Sequence, residues 1–315
     1  MSHPTVVPAP TREATRCSGG SRRAATARLY ALILLMVLFW TANFLIGKVA
    51  LREFPILLLA GMRTALAAVL LLPVYVWSRR AAARAVRIEG PDRRRLLLLG
   101  VFGVTLNQLF FVGGLALTSA AHASVLMSLT PILVLVLAAA AGQERVTVKK
   151  AAGMSVALLG AAWLSGSSSE SSGATVTGDV LVLLAALAFA GFTVGGKQPS
   201  ARYGSVTVNT FAYGSGALML APLTAWQAFR FDFATVSAAA WASFAYMALF
   251  PSLVCYLIFS YALARLPASR LTAFGYLQPL LATTGAAVFL GEPVTLGLVA
   301  AGALVLAGVY LAERA

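Results

Sequence analysis

Long apolar stretches follow one another along almost the whole chain, and short polar segments separate them. A helix that crosses the hydrocarbon core of a membrane needs about 20 mainly apolar residues, since each residue adds about 1.5 Å to a span of about 30 Å. The alternating apolar and polar pattern of a membrane β-barrel is missing from these stretches. The pattern therefore predicts an all-α membrane protein with ten transmembrane helices, at about 29–48, 55–77, 96–117, 121–141, 150–165, 179–197, 205–226, 240–263, 268–289 and 295–312.

The composition supports this class and excludes several others. Hydrophobic residues make up 60% of the 315 residues and charged residues 11%, against about 25% charged residues in a typical soluble domain. So few charges cannot cover the surface of a soluble enzyme, and the apolar content excludes a disordered chain. The net charge of +14 needs its own explanation, because in a soluble protein it would indicate binding to nucleic acid.

The basic residues are concentrated in alternate loops. Twenty of the 24 Lys and Arg residues lie in the two tails or in every second loop, whereas only Lys48, Arg52 and Arg230 lie on the opposite side. The positive-inside rule then places both the N- and the C-terminus in the cytoplasm. The N-terminal tail, residues 1–28, is rich in Pro, Ser, Thr and Arg, which predicts disorder. The densest basic cluster, in the loop 79–95, indicates contact with anionic lipid headgroups and not with nucleic acid.

The chain also contains an internal repeat. A shift of 148 or 149 residues places Lys48 on Lys197 and Pro131 on Pro279, with similar matches across five spans. Five is an odd number, so the second copy enters the membrane inverted, and inverted repeats are an architecture of transporters whose substrate site lies between the copies. The basic tail is followed by the first five-helix repeat at 29–166 and, after a polar linker, by the second at 179–313.

A series of short motifs runs along the two copies. They are Phe39-Trp40-Thr41-Ala42-Asn43-Phe44, Pro55 followed by Arg63, Ala123-Ser124 ahead of Leu129-Thr130-Pro131, Gln143-Glu144-Arg145, Gly178-Asp179, Leu266-Pro267-Ala268, Tyr276-Leu277-Gln278-Pro279 and Gly291-Glu292-Pro293. Through these residues the chain resembles the drug/metabolite transporter superfamily, and within it the EamA-like permease family, over residues 29–313. The resemblance implies a ten-helix metabolite carrier, often an exporter, that works by alternating access around a central cavity in the bacterial inner membrane.

Polar and aromatic side chains that share one helix face are the candidates for the substrate site. In the first span Trp40, Asn43 and Phe44 lie on one stripe, at positions i, i+3 and i+4. Rings suit the apolar or planar parts of a substrate, and Asn or Thr would orient it. Packing between helices through the same residues is the alternative. The repeat-related stripe in the sixth span consists of Phe189, Phe192 and Thr193.

The third and eighth spans carry further candidates. An amide is costly in hydrocarbon, so Asn107 or Gln108 must face protein or water, either as a substrate contact or as an interhelical hydrogen bond. Phe111 follows one turn after Asn107 on the third span. Tyr256 is the candidate in the eighth span.

The fourth and ninth spans each contain a proline in mid-span, Pro131 and Pro279. Proline removes a helical hydrogen bond and frees the carbonyl four residues earlier, here at Met127 and Gly275. Such irregularity is tolerated where protein or a watery cavity compensates, which favours a hinge or a cavity wall. A passive kink needed for packing is the alternative. The polar candidates that accompany the two prolines are Ser124, Ser128, Tyr276 and Gln278.

Arg63 is the one basic residue firmly inside a span, about 8 residues or 12 Å from its start. It could snorkel outward, pair with another group or bind an anionic substrate, and the sequence favours snorkelling. Ala212 occupies the repeat-related position, so the arginine is not a symmetric feature. No Asp or Glu lies deep in any span, which argues against a proton-driven exporter of the small multidrug type, because that mechanism needs a buried carboxylate.

Enzymatic chemistry has no support in the sequence. A Gly-rich phosphate loop, an ATPase motif and a catalytic triad pattern are missing, and Cys17 and Cys255 form no metal-ligand spacing, so no metal or cofactor is expected. The predicted function is export of a small-molecule substrate, an amino acid or a related compound. Two alternatives stay open, a non-transporting membrane protein with a lipid-handling or sensory role, and a carrier of an anionic metabolite such as a nucleotide sugar or a phosphate ester.

Overall fold

The computed structural model describes residues 12–81, 88–166, 175–281, 284 and 296–314. Secondary structure in these residues is helical, and they include no strand. The α-helices are α1 (Arg12–Ala50), α2 (Ile56–Ala81), α3 (Gly90–Gly100), α4 (Asn107–Leu117), α5 (Ala120–Met127), α6 (Thr130–Ala140), α7 (Val148–Gly166), α8 (Val176–Ala228), α9 (Ala238–Met247), α10 (Cys255–Leu263), α11 (Ala268–Ala273) and α12 (Leu296–Arg314).

Six helical stretches among the described residues are long and apolar enough to cross a membrane. Large apolar side chains point away from the protein interior along them, for example Leu45, Trp77 and Leu218, which are 62%, 72% and 77% exposed. Water would penalise such a surface, whereas lipid tails accept it. The expectation of an all-α, multi-pass membrane protein is therefore confirmed. The six stretches are Ala24–Ala50, Ile56–Arg80, Gly90–Leu117, Ala123–Ala140, Val176–Ala228 and Ala238–Leu263.

Two boundaries differ from the sequence expectation. α1 begins at Arg12, within the tail whose composition predicts disorder, because its Ala and Arg residues are good helix formers that run into the apolar span without a break. The separate sixth and seventh spans form one long element, α8, whose helical path is broken at Gly204. Gly204 has φ of 79°, a conformation that glycine adopts without strain, and it divides α8 at the predicted loop.

Several predicted spans are interrupted, and the interruptions occur at repeat-related positions. The third span contains a π-helical segment, Val101–Leu106, and the eighth contains another, Ala248–Val254. A shift of 148 places the last residue of the first segment, Leu106, on the last residue of the second, Val254. In the fourth span α5 stops at Met127 and α6 starts at Thr130, and in the ninth a 3-10 turn, Phe274–Tyr276, separates α11 from the helical residues 277–281.

The interruptions change the expected role of the two prolines. Pro131 lies in the first turn of α6 and Pro279 near the start of the helical residues 277–281, so neither lies inside a continuous helix. A proline fits a first helical turn, where its missing N–H has no partner to lose. The mid-helix position predicted for Pro131 and Pro279 is therefore corrected to a position just after a break.

The outer helices pack through small residues. A Cβ built on Gly308 of α12 would lie 2.3 Å from the backbone nitrogen of Ala157 in α7, and one built on Gly160 would lie 2.8 Å from the nitrogen of Val305. Glycine at these positions lets the two backbones approach closely, as is common between membrane helices. This contact joins the last described helix of each copy.

Candidate functional site

A cavity of about 90 Å³ lies between the helices of the two copies. Its lining comes from α1, α2, α4, α8 and α10 and from the two interrupted spans that contain Pro131 and Gln278. An engineered cavity of about 150 Å³ is enough for benzene, so this one has room for a few water molecules or a very small ligand as it stands. The sequence candidates that line it are Trp40, Asn43, Phe44, Asn107, Phe111, Phe189, Tyr256, Gln278 and Pro131.

One wall of the cavity consists of aromatic rings from three helices. The Trp40 ring packs against Phe189 at 5.6 Å between centroids and 88° between planes, against Phe259 at 5.7 Å and against Tyr256 at 6.2 Å. The indole Nε1 donates to the carbonyl of Pro251 at 3.3 Å, inside the second π-helical segment. Edge-to-face rings of this kind form a stiff apolar surface suited to an apolar or planar ligand.

Amide and phenol groups form a fixed network beside this wall. The Asn107 side chain donates to the carbonyl of Ala185 at 3.0 Å, which ties α4 to α8. The Tyr256 hydroxyl donates to the carbonyl of Gly103 at 2.8 Å and lies 3.1 Å from Asn107 Oδ1. Gly103 lies in the first π-helical segment, where carbonyls are left free for such partners. The network holds Asn107 by interhelical hydrogen bonds at the edge of the cavity.

Arg63 is in the interior and does not snorkel. Its side chain is 2% exposed, and its Nε and Nη2 atoms donate to Ser252 Oγ at 3.1 and 3.0 Å. Ser252 Oγ in turn donates to the carbonyl of Met247, which the second π-helical segment leaves accessible. The expectation of snorkelling is therefore wrong, because the bent eighth span supplies a hydrogen-bond acceptor deep in the protein that local sequence does not reveal. Arg63 also lines the cavity.

Six of the candidates lie outside the cavity lining. Thr193 donates to the carbonyl of Phe189 and Ser128 to that of Ser124, both at 2.8 Å, so two of these hydroxyls serve their own helices. Phe192 is fully buried behind the aromatic wall, where it contacts Phe189, Tyr256 and Phe259. The full set outside the lining is Ser124, Ser128, Phe192, Thr193, Tyr276 and Pro279.

Several lining residues were missed, and the repeat could have found some of them. Phe259 is the repeat partner of Phe111, and Thr130 is the repeat partner of Gln278, so the register itself points to both. Pro251 is a further proline inside a predicted span, and it marks the second π-helical segment. Met36, Met127 and Leu271 carry no comparable signal, because apolar side chains look alike in cavity walls and in packed cores. Gln108, named above as a possible substrate contact, also lines the cavity, and the other lining residues are Val37, Thr272 and Gly275.

Two lysines at repeat-related positions bind carbonyl groups at the ends of two spans. Lys48 Nζ donates to the carbonyl of Thr118 at 2.5 Å, beyond the last turn of α4. Lys197 Nζ donates to the carbonyl of Leu263, the last residue of α10, and to that of Leu266, just beyond the helix. Thr118 and Leu266 are also related by the shift of 148. A cation at the carbonyl end of a helix is stabilised by the helix dipole, so each lysine secures the end of one span.

Glu144 joins the two copies on the side that carries Lys197. It accepts hydrogen bonds from Lys150 Nζ at 2.8 Å and from the backbone nitrogen of Ser269 at 3.0 Å, and the Ser269 hydroxyl donates to it as well. Burial raises the pKa of Glu144, but the hydrogen bonds from Lys150 and Ser269 outweigh burial and hold the pKa below its ordinary value. The carboxylate thus links the α6–α7 loop of the first copy to the first turn of α11 in the second.

Comparison with known proteins gives consistent matches to both copies. The model of the EamA-like transporter family matches residues 28–166 and again residues 176–313. A probable terminal-alkyne amino-acid exporter of Streptantibioticus cattleyicolor is 34% identical over 90% of this chain and 92% of its own length. An uncharacterized transporter of Archaeoglobus fulgidus is 30% identical over 90% of this chain and 98% of its own.

Two further matches are more distant. A probable amino-acid metabolite efflux pump of Salmonella typhimurium is 27% identical over 89% of this chain and 93% of its own length. One solved crystal structure superimposes with a TM-score of 0.73, covers 91% of this chain and 97% of its own, and shares 18% sequence identity. At that identity the superposition shows the same fold and nothing more.

Proposed function

The chain belongs to the EamA-like transporter family, and from that premise we propose that it exports a small metabolite, an amino acid or a related compound, across the bacterial inner membrane. In this proposal ten transmembrane helices form two inverted five-helix copies, with both termini in the cytoplasm. The substrate site is the cavity between the copies, and alternating access exposes it to one side of the membrane and then to the other.

The observation that carries the proposal is the cavity itself. Side chains from both family matches meet there, with Trp40 and Asn43 from the first and Phe189 and Tyr256 from the second. A few polar groups in an otherwise apolar and aromatic lining is the usual composition of a small-molecule site. The names of two relatives, an amino-acid exporter and an amino-acid metabolite efflux pump, support the substrate class and the direction.

The geometry also supports a cavity that changes size. Its volume of about 90 Å³ is too small for most amino acids, so loading requires the helices around it to move. At the breaks before Pro131 and before Pro279, turn and 3-10 geometry replaces the regular α-helical hydrogen bonding, and such breaks are places where backbone angles can change. We place the hinges of the transport cycle at these two repeat-related breaks.

The basic loop fits an accessory role at the membrane surface. Within its described part, Arg79 and Arg80 lie in the last turn of α2, and Arg93, Arg94 and Arg95 lie in the first turns of α3, at the edge of two apolar stretches. Arginines in that position attract anionic lipid headgroups at about 1 kcal/mol each. We propose that this loop contacts the lipid headgroups of the cytoplasmic leaflet and helps to keep both termini in the cytoplasm.

The test is transport by purified protein in liposomes. Vesicles that contain the protein are loaded with a panel of labelled amino acids, organic acids and amines, and the loss of each is compared with that from empty vesicles. We expect flux of at least one amino acid, and a fall of at least about tenfold in Trp40→Ala and Asn43→Ala. Trp77→Ala, which removes a lipid-facing tryptophan of the same size, is the matched control and should transport as the wild type does. The proposal fails if no solute moves, or if both cavity variants transport normally.

A further inference from the structure

Arg63 has one hydrogen-bond donor group that the protein leaves unused. Nε and Nη2 are occupied by Ser252, whereas the buried Nη1 has no partner among the described residues. The ion pairs found in the described part of the chain involve Glu144, Glu89, Asp92 and Glu313, and none of them includes Arg63. A buried guanidinium without an anion is costly, so such a group is retained where a ligand supplies the anion.

Asn43 presents the opposite chemistry in the same cavity. Its side chain is 4% exposed, and its Oδ1 atom is buried without a hydrogen-bond partner. An amide oxygen only accepts hydrogen bonds, whereas a guanidinium only donates them. Thr130 Oγ1, also in the lining, is a second buried oxygen without a partner. The residues that line the cavity thus carry one unsatisfied cationic donor and two unsatisfied oxygen atoms, which become available to a ligand when the cavity widens.

The other lining residues indicate which kind of side chain the ligand carries. Trp40, Phe111, Phe189 and Phe259 present rings, and no Asp or Glu is among the residues that form the described lining. A basic side chain would therefore be repelled by Arg63 without compensation, and a second carboxylate would find only one cation. A small apolar side chain, in contrast, would be buried against the rings.

We propose that Arg63 binds the carboxylate of the substrate through Nη1, that Asn43 and Thr130 accept hydrogen bonds from its ammonium group, and that the substrate is a zwitterionic α-amino acid with an apolar side chain. This rests on the proposed function, and it adds the chemical class of the substrate and a role for each polar group. Ser252 acts as a positioning residue, because it holds the guanidinium plane without contacting the ligand.

The test compares matched ligands in counterflow. Proteoliposomes are loaded in turn with unlabelled L-alanine, L-leucine, L-methionine or L-phenylalanine, and uptake of the same labelled amino acid is measured. Each is then competed with its amide, which lacks the carboxylate, with its 2-oxo acid, which lacks the ammonium group, and with L-lysine and L-glutamate. We expect the amide to compete at least about 30-fold more weakly and the 2-oxo acid about tenfold more weakly, the size expected for charge-assisted hydrogen bonds.

Substitutions then test which residue causes the preference for the carboxylate and which causes the preference for the ammonium group. Arg63→Gln should abolish the advantage of the amino acid over its amide, Arg63→Lys should keep part of it, and Asn43→Leu should reduce the advantage over the 2-oxo acid alone. Arg52→Gln, an exposed arginine close to the start of the same helix, is the control and should change nothing. If Arg63→Gln does not fold, the competition series on the wild-type protein still tests carboxylate recognition, and Arg63→Lys tests the assignment to Arg63, which an unchanged preference in that variant would overturn.

The possible outcomes separate the two levels of the proposal. Equal competition by amino acid and amide, or transport of amines alone, would overturn carboxylate recognition while transport itself stands. An unchanged preference in a folded Arg63→Gln protein would overturn the assignment to Arg63. If none of the panel moves, including solutes without a carboxylate, the proposed function fails and the substrate class fails with it.

Discussion

Replacing Glu144 by Gln should destabilise the protein, because this carboxylate connects the two copies. Its side chain is 8% exposed and accepts from Lys150 Nζ at 2.8 Å and from Ser269 through the backbone nitrogen at 3.0 Å and through the hydroxyl. Glutamine has nearly the same shape, but it carries no charge, and its amide nitrogen would face donors. Lys150, whose side chain is 11% exposed, would be left without its counter-ion.

The size of the effect follows from these contacts. A hydrogen bond to a charged group contributes about 1.5–3 kcal/mol, and the lower desolvation cost of a neutral glutamine offsets part of the loss of several such bonds. We therefore expect a net loss of about 2 kcal/mol. At about 2–4 °C per kcal/mol this lowers the melting temperature by about 4–8 °C.

The dependence on pH provides a second, independent signature. Because the pKa of Glu144 is lower in the folded protein than in the unfolded chain, its contribution is fully present above the unfolded pKa, about 4.3. That contribution is lost as the pH falls through the lowered folded pKa. The difference in melting temperature between wild type and Glu144→Gln should therefore be constant near neutral pH and shrink below about pH 4.

The assay is thermal unfolding of purified protein in detergent, followed by intrinsic tryptophan fluorescence. Glu89→Gln serves as the control, because Glu89 pairs with Arg202 at 2.5 Å on the surface, where both side chains are about half exposed or more. Exposed pairs contribute little, so this variant should melt close to the wild type. The reasoning is refuted if Glu144→Gln melts with the wild type, or if the two variants lose the same stability.

Three further predictions concern packing, the polar network and orientation. Gly308→Ala should lower the melting temperature, because the new Cβ would lie 2.3 Å from the Ala157 nitrogen, whereas Gly214→Ala, whose Cβ would meet nothing within 4 Å, should not. Tyr256→Phe should cost about 1–3 kcal/mol in unfolding experiments, since the carbonyl of Gly103 loses its buried donor, and unchanged stability would contradict the network. A green fluorescent protein fused to the C-terminus should fluoresce in cells, and a dark fusion together with an active periplasmic phosphatase fusion would reverse the predicted orientation.

The helix positions were predictable because a span has to be long, apolar and flanked by polar residues, and all of these are local properties of the sequence. The third span illustrates the limit, since its apolar run predicts one helix whereas the structure inserts a π-helical segment at Val101–Leu106. Such a segment depends on partners far along the chain, here the Tyr256 hydroxyl that bonds Gly103. Periodicity cannot reveal a partner that lies in the other copy.

The cavity lining could likewise be predicted only in part from the sequence. Trp40, Asn43 and Phe44 could be selected because they share one helix face, and the cavity lies on that face. Thr193 shares a face with the aromatic residues as well, but its hydroxyl bonds the preceding turn, an option that spacing alone does not exclude. The sequence around Arg63 shows no partner and so favours an outward side chain, whereas Ser252, 189 residues later, holds the guanidinium inside.

The central claim is that one cavity faces each side of the membrane in turn, and cysteine accessibility tests it most directly. In a background without Cys17 and Cys255, a single cysteine replaces Gly275, which lines the cavity and whose Cβ would meet nothing within 4 Å. A membrane-impermeant maleimide is applied to intact cells and to inverted vesicles, with Leu218→Cys as a lipid-facing control. We predict that Gly275→Cys reacts fully from either side, that a transported amino acid changes both rates, and that Leu218→Cys reacts from neither. Reaction of Gly275→Cys from one side only, with or without substrate, would contradict alternating access.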